Sequence, residues 1–180
     1  MAWTSLPSLR RVGLPAALIA FFPSVGVSQA SAPELAPNAP HDSPVLTTQK
    51  CIWVAMDRAM QPYIAQARAT WPDARRRYLA GLPPGQTFFV TALLVDDQDR
   101  REQVFVAVDA IRDGIIKGKI WNRVDVVRGY QLGDRYSFPE SELRDWLIAK
   151  ADGTEEGNFV GKFLDGYEPP RACISNTVGD

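Results

Sequence analysis

The sequence predicts an α+β fold, with two N-terminal helices packed on a curved, mainly antiparallel sheet of about five strands. Three observations lead there. Apolar residues at helical spacing run from Ala59 to Leu79. The period then changes at Thr87 into runs of β-branched and aromatic residues, as strands require. Short turn signals join those runs, Asp113-Gly114 the strongest, so consecutive strands should pair as hairpins. Helices first and hairpin-linked strands afterwards is the α+β order.

The elements follow in chain order. Cys51-Ile52-Trp53-Val54-Ala55 is a short apolar run and reads as a first strand. Asp57 then caps a helix that carries Ala59, Met60, Tyr63, Ile64, Ala67 and Trp71 on one side. Pro62 is acceptable in its first turn. Trp71-Pro72 should end it, because proline disfavours helical geometry in the residue before it. Pro72 opens a second helix, with Asp73 at its positive end, Tyr78 and Leu79 inward and Gly81 as the stop. Leu82-Pro83-Pro84-Gly85 is a turn. Thr87 to Val95 is a strand, and Asp96-Asp97-Gln98-Asp99 is a polar reversal. Glu102 to Ile111 returns with Val104, Val106 and Val108 on one face and Phe105 and Ala107 on the other. Ile115 to Trp121 comes next, with Gly118 marking a bulge. Val124 to Val127 is a buried connector or strand. Leu132-Gly133-Asp134 turns into Arg135 to Phe138. Ser137-Phe138-Pro139-Glu140 has capping-box spacing and begins one helical turn. Asp145 to Ala149 is a further strand, closed by Asp152-Gly153. There is no repeat and no second domain in this reading.

The flanking segments fix the expected compartment. Arg10 and Arg11 precede an apolar run, Val12 to Val27, and Ser28-Gln29-Ala30 offers small residues where a signal peptidase reads. The run contains Pro15 and Pro23 and is short against the roughly 20 apolar residues of a bilayer span. Residues 1–30 therefore read as a signal peptide, with general secretion preferred over the twin-arginine route. Residues 31–50, with Pro33, Pro37, Pro40 and Pro44, read as an extended linker. Residues 51–175 read as one α+β domain and 176–180 as a disordered tail. The expected location is the periplasm or outside the cell, without stable membrane insertion after cleavage. Cys51 and Cys173 bracket the domain; in an exported chain an even count favours a disulfide, two separate buried thiols being the rival.

Composition narrows the chemistry. The full chain has a net charge of −1. Without the first thirty residues, which hold two arginines and no acid, 18 basic residues face 21 acidic ones, a net of −3. That is no nucleic-acid footprint. His41 is the only histidine and lies in the linker, so no rigid base can be placed beside a serine or cysteine nucleophile. Neither zinc ligands nor a phosphate loop is visible, and Asp96-Asp97-Gln98-Asp99 lacks the glycine and distant glutamate of an EF-hand. No metal and no cofactor are expected. The surviving catalytic option is a pair of carboxylates drawn from Glu102, Asp145 and Glu155, with Glu156 on the opposite side of its strand from Glu155. As turn, rim and cross-strand residues these acids have an ordinary structural role, which is the favoured reading.

Several segments resemble the YegJ-like family of uncharacterised bacterial domains. They are Leu82-Pro-Pro-Gly85, Arg101-Glu-Gln-Val-Phe-Val106, Gly129-Tyr130 with Gly133-Asp134, Asp145-Trp146, and the stretch from Asp152 to Leu164. The resemblance spans about residues 57 to 165. It implies an exported or cytosolic bacterial domain and carries over no catalytic residue or substrate. Small α+β domains of this kind also look like immunity partners of bacterial toxins.

The expected function is a non-enzymatic binding domain of the bacterial envelope, with an envelope protein or a cell-wall component as partner. Its candidate contacts are Trp121, Asn122, Arg123, Tyr130, Glu155, Glu156, Asn158 and Lys162, polar or aromatic groups gathered in turns. The alternatives are a carboxylate-dependent hydrolase of a wall glycan or peptide, and a toxin-neutralising partner.

Overall fold

The computed structural model describes residues 50–174. Residues 1–49, where a signal peptide and a linker with His41 were expected, and residues 175–180, with the expected tail, lie outside the described residues.

Helix α1 spans Lys50–Ala80. Trp53, Met56, Met60, Ile64, Ala67, Trp71 and Ala74 are its buried residues, spaced three and four apart as one stripe. Two expectations are corrected here. Cys51–Ala55 is the first part of this helix and not a strand, because Trp53 extends the stripe that Met56 and Met60 begin. There is one long N-terminal helix and not two, since α1 runs through both Pro62 and Pro72. An interior proline costs a helix about 3 kcal/mol. From Trp71 to Tyr78 the helix is tied to the rest of the chain at four residues. The Trp71 indole N–H donates to Glu140 at 2.8 Å, and the Arg75 guanidinium to the same carboxylate at 3.1 Å. Arg77 pairs with Glu156, and the Tyr78 hydroxyl donates to the Val108 carbonyl at 3.2 Å. Tertiary anchoring outweighs local propensity. Gly81, at φ +93°, ends the helix, its N–H donating to the Tyr78 carbonyl.

Six strands follow: β1 (Thr87–Val95), β2 (Arg101–Arg112), β3 (Ile115–Ile120), β4 (Arg135–Pro139), β5 (Asp145–Ala149) and β6 (Glu155–Gly157). They form one sheet in the order β4-β3-β2-β1-β5-β6, every pairing antiparallel. The sheet thus has six strands where about five were expected, β6 being the addition. A 3-10 turn (Glu140–Glu142) does form, but it starts at Glu140 after Pro139, later than the capping-box spacing from Ser137 implied, because Ser137 to Pro139 still belong to β4, and no side chain caps it. Two further short helices, α2 (Phe159–Leu164) and α3 (Arg171–Ile174), complete the order.

Asp113 and Gly114 both have positive φ, which gives the β2–β3 hairpin the handedness of its strands. The β2–β3 register skips Asp109, a bulge directly beside Gly118. Gly118 is needed there: a Cβ on it would lie 2.1 Å from the Ala107 carbonyl oxygen.

The main core joins Ala67, Trp71 and Ala74 of α1 to the sheet face carrying Phe88, Val90, Val104, Val106, Ile116, Ile120, Trp146 and Ile148. Phe89, Phe105, Leu147 and Ala149 cluster on the other face. The first half of α1 packs with Val160 of α2 in a third cluster, which Leu93, Phe163 and Tyr167 flank. Cys51 and Cys173 are bridged, tying the start of α1 to α3. Among the described residues, no helix is long and apolar enough to cross a membrane.

Candidate functional site

The register decides where the acids point, because residues directly opposite share a face of the sheet. Asp145 lies opposite Thr91 on β1, and Glu102 lies opposite Leu94. Thr91 and Leu94 are three positions apart, so Asp145 and Glu102 are on opposite faces. Glu155 is opposite Ala149 and shares the face of Asp145, while Glu156, opposite Ile148, takes the other.

Glu102 is fully buried. Its carboxylate accepts the backbone N–H of Asp125 at 3.0 Å, of Val126 at 2.8 Å and of Val127 at 3.1 Å. The segment after β3 therefore folds back over β2 and is held there by one acid. Asp96 does similar work at the β1–β2 turn. It accepts the N–H groups of Gln98 and Arg100 at 3.0 Å, that of Arg128 at 3.1 Å, and the Arg100 guanidinium at 2.7 Å. The hydrogen bond from Arg100 is the largest cause holding the Asp96 carboxyl well below the usual carboxylate range, with the backbone N–H groups adding to it.

Asp145 is 1% exposed. One carboxylate oxygen accepts its neighbour Trp146's N–H at 2.8 Å, and the other accepts the N–H of Val160 at 2.6 Å, in the first turn of α2. Burial pushes this carboxyl up to about 7 against the pull of those two donors and of Lys162, and Glu155 adds to the rise. A raised folded-state value means that the folded state holds the proton more tightly than the unfolded chain, whose aspartates titrate near 4. The stability linked to Asp145 is thus fully present below about pH 4 and is lost as pH rises through 7. The expected loss is about 2–4 kcal/mol between pH 4.5 and 7.5, read by urea unfolding. The acids with lowered values, Asp96, Asp152 and Glu156, act in the opposite sense and only at lower pH. D145N should flatten the slope, and an equal slope in D145N would refute the assignment.

The eight candidate contacts divide. Glu155, Asn158 and Lys162 come together with Asp145 at the sheet edge. The Asn158 amide donates to Glu155 at 3.1 Å, and the Lys162 ammonium lies 3.6 Å from Glu155 and donates to the Gly157 carbonyl at 2.8 Å. Asn158 holds φ +55°, and its backbone N–H donates to the Trp146 carbonyl at 2.8 Å. Glu156 points away to Arg77 and Lys150. Asn122 is buried: its amide oxygen accepts the Phe105 N–H at 2.7 Å and its amide nitrogen donates to the Arg123 carbonyl. Trp121 is half-buried against Phe89 on the small-core face. Tyr130 packs edge-on against Tyr136, and Arg123 is exposed beside Asp125.

Two features escaped the sequence reading. One is a chain from Asp57 through Arg144 to Gln103, whose amide reaches the Met60 sulfur at 3.5 Å. Nothing local marks Arg144 or Gln103 as buried. The other is α2, whose Phe159, Val160, Phe163 and Leu164 carry a helical spacing that could have been read. Among the described residues there is no group of three or more His, Cys, Asp or Glu placed to hold a metal ion.

A family model described as an uncharacterized protein conserved in bacteria (DUF2314) matches residues 53–167. No curated protein and no solved structure matches the chain.

Proposed function

The chain belongs to the DUF2314 family of uncharacterised bacterial proteins, and from that premise we propose that it is an exported, non-enzymatic binding domain of the bacterial envelope. One observation carries the reading: each acid considered for chemistry already has an occupation. Glu102 holds three backbone N–H groups, Asp145 holds two, and Glu155 is engaged by Asn158 and Lys162. Glu102 and Asp145 are on opposite faces of the sheet, so they do not flank one bond. The disulfide supports an oxidising compartment, and the charged leader supports export. The segments that resemble the YegJ-like family support a finer placement within uncharacterised bacterial domains.

The partner is an envelope protein or a wall component, met at the sheet edge by Glu155, Asn158 and Lys162, while Trp121 and Asn122 serve packing and Glu156 pairs with Arg77 and Lys150. The hydrolase reading keeps one observation in its favour, the burial of Asp145 beside Glu155, which pushes its carboxyl upward. Its weakness is that Asp145 is closed off from a substrate.

The test is expression of the full-length chain in a bacterium, followed by fractionation and intact-mass analysis. The expected result is a periplasmic protein beginning at Ser31, two protons lighter than its reduced form, that co-sediments with wall sacculi or retains an envelope protein. A cytosolic protein with its leader intact would overturn it. So would turnover of a wall fragment that D145N or E155Q abolishes.

A further inference from the structure

Three separate devices converge on one recess. Its volume is about 510 Å³, and it is lined by Lys50, Trp53 and Val54 of α1, by Gln98 to Arg101 of the β1–β2 turn, and by Val126. That size lies within the range of small-ligand sites. The disulfide at Cys51 fixes the helical wall, beside Lys50 and Trp53. Asp96 fixes the turn wall through the N–H groups of Gln98 and Arg100. Glu102 fixes the third wall through the N–H groups of Asp125, Val126 and Val127. Asp96 also ties the second wall to the third through the Arg128 N–H. A site whose loops are held this way is pre-organised, so little ordering is needed when a ligand arrives.

The lining has two chemical characters. Lys50, Arg100 and Arg101 bring three cations, against Asp99 alone among the lining acids. Arg101 pairs with Asp99 and Arg100 with Asp96, whereas Lys50 makes no ion pair among the described residues. Trp53, Val54 and Val126 supply an apolar wall, and Val54 is 56% exposed at the rim, an aliphatic side chain left in water.

We propose that this recess binds an organic anion, a carboxylate head set on an apolar body, with the head toward Lys50 and Arg101 and the body along Val54, Trp53 and Val126. The proposal goes beyond the binding reading above, because it places a second site at residues that share none of the contacts named there. Two sources share this chemistry, a free aliphatic acid and the C-terminus of an apolar peptide.

The experiment titrates the full-length chain with octanoate and octanamide, and with N-acetyl-trivaline and its C-terminal amide. Calorimetry gives the affinity, and backbone NMR shifts give the place. At least one of the two acids is expected to bind with Kd below about 1 mM and to move the signals of Trp53, Gln98, Arg101 and Val126. Its neutral amide should bind at least about tenfold more weakly. Which acid binds identifies the source. The double variant K50Q/R101Q and the single variant V54D should each weaken binding by about tenfold or more. All three positions are exposed, so folding should be retained, and thermal melts check this. Failure of both acids to bind with Kd below about 1 mM would overturn the proposal, as would equal binding of acid and amide or unchanged affinity in K50Q/R101Q. If the acids fail while wall sacculi or an envelope protein still retain the chain, the recess assignment falls and the binding reading stands. If acid-dependent turnover is found instead, the binding reading itself falls.

Discussion

Removal of the Cys51–Cys173 bridge, in the double variant C51S/C173S, is expected to lower the unfolding free energy by about 5 kcal/mol. The two cysteines are 122 residues apart. Closing a loop of that length removes about 5 kcal/mol of entropy from the unfolded chain on the chain-entropy model. Total stabilities of single domains lie between about 5 and 15 kcal/mol, so the effect is a third or more of what is available. Within the fold the bridge joins the first turn of α1 to α3, where the Cys173 N–H donates to the Pro170 carbonyl at 2.9 Å. Its loss should free the first turns of α1 before the rest of the helix, which stays tied through Trp71, Arg75, Arg77 and Tyr78. Urea unfolding of the oxidised protein and of the double variant measures the change. The urea dependence should also steepen, because the unlinked unfolded chain exposes more surface. A loss below about 1 kcal/mol would show that the bridge constrains little, contrary to its place in the fold.

Glu102 should give the second large effect. E102A leaves the N–H groups of Asp125, Val126 and Val127 without their acceptor beneath a covered segment. Removing one side of a buried charged hydrogen-bond set costs about 3–5 kcal/mol. E102Q keeps one acceptor oxygen in the same volume and loses the charge, so it should fall between wild type and E102A, with a loss of about 1–3 kcal/mol. Thermal or urea unfolding of the three proteins measures the order. An E102A protein within about 1 kcal/mol of wild type would mean that the segment finds other acceptors and that Glu102 does not hold it.

The strands were the legible part of this chain. From Thr87 to Ala149 the strands announce themselves by runs of apolar, β-branched and aromatic residues bounded by turns, Asp113-Gly114 most plainly, and these signals are local. The N-terminal region was misread where the decisive contacts are distant. Pro72 breaks a helix by local rules, and residues far along the chain, Glu140, Leu143, Trp146, Glu156 and Val108 among them, hold it on both sides of the proline. Cys51–Ala55 has a strand's composition, and the packing of Trp53 in the cluster of Met56, Met60 and Val160 makes it helix. Strand β6 is only Glu155–Gly157 and leaves almost no pattern to read.

The candidate acids were identifiable by type but not by role. Residue identity cannot tell a carboxylate facing solvent from one accepting three backbone N–H groups, since the donors lie more than twenty residues away for Glu102. The grouping of Asp145, Glu155, Asn158 and Lys162 follows from the β5–β6 register, which a sequence does not display. Asp96 looked like one of several solvated acids in a reversal. Its separate work on the turn and on Arg128 appears only in three dimensions.

The central claim is that Glu102 and Asp145 are spent on holding backbone in place, and the proposed binding role rests on it. Amide hydrogen exchange, residue by residue in NMR, tests it most directly. The N–H groups of Asp125, Val126 and Val127 under Glu102, and of Val160 under Asp145, should be protected by about a thousandfold or more over an unstructured chain, and E102Q should release the first three selectively. Exchange of those amides within about tenfold of unstructured rates would contradict the account, because the carboxylates would then be free for other chemistry.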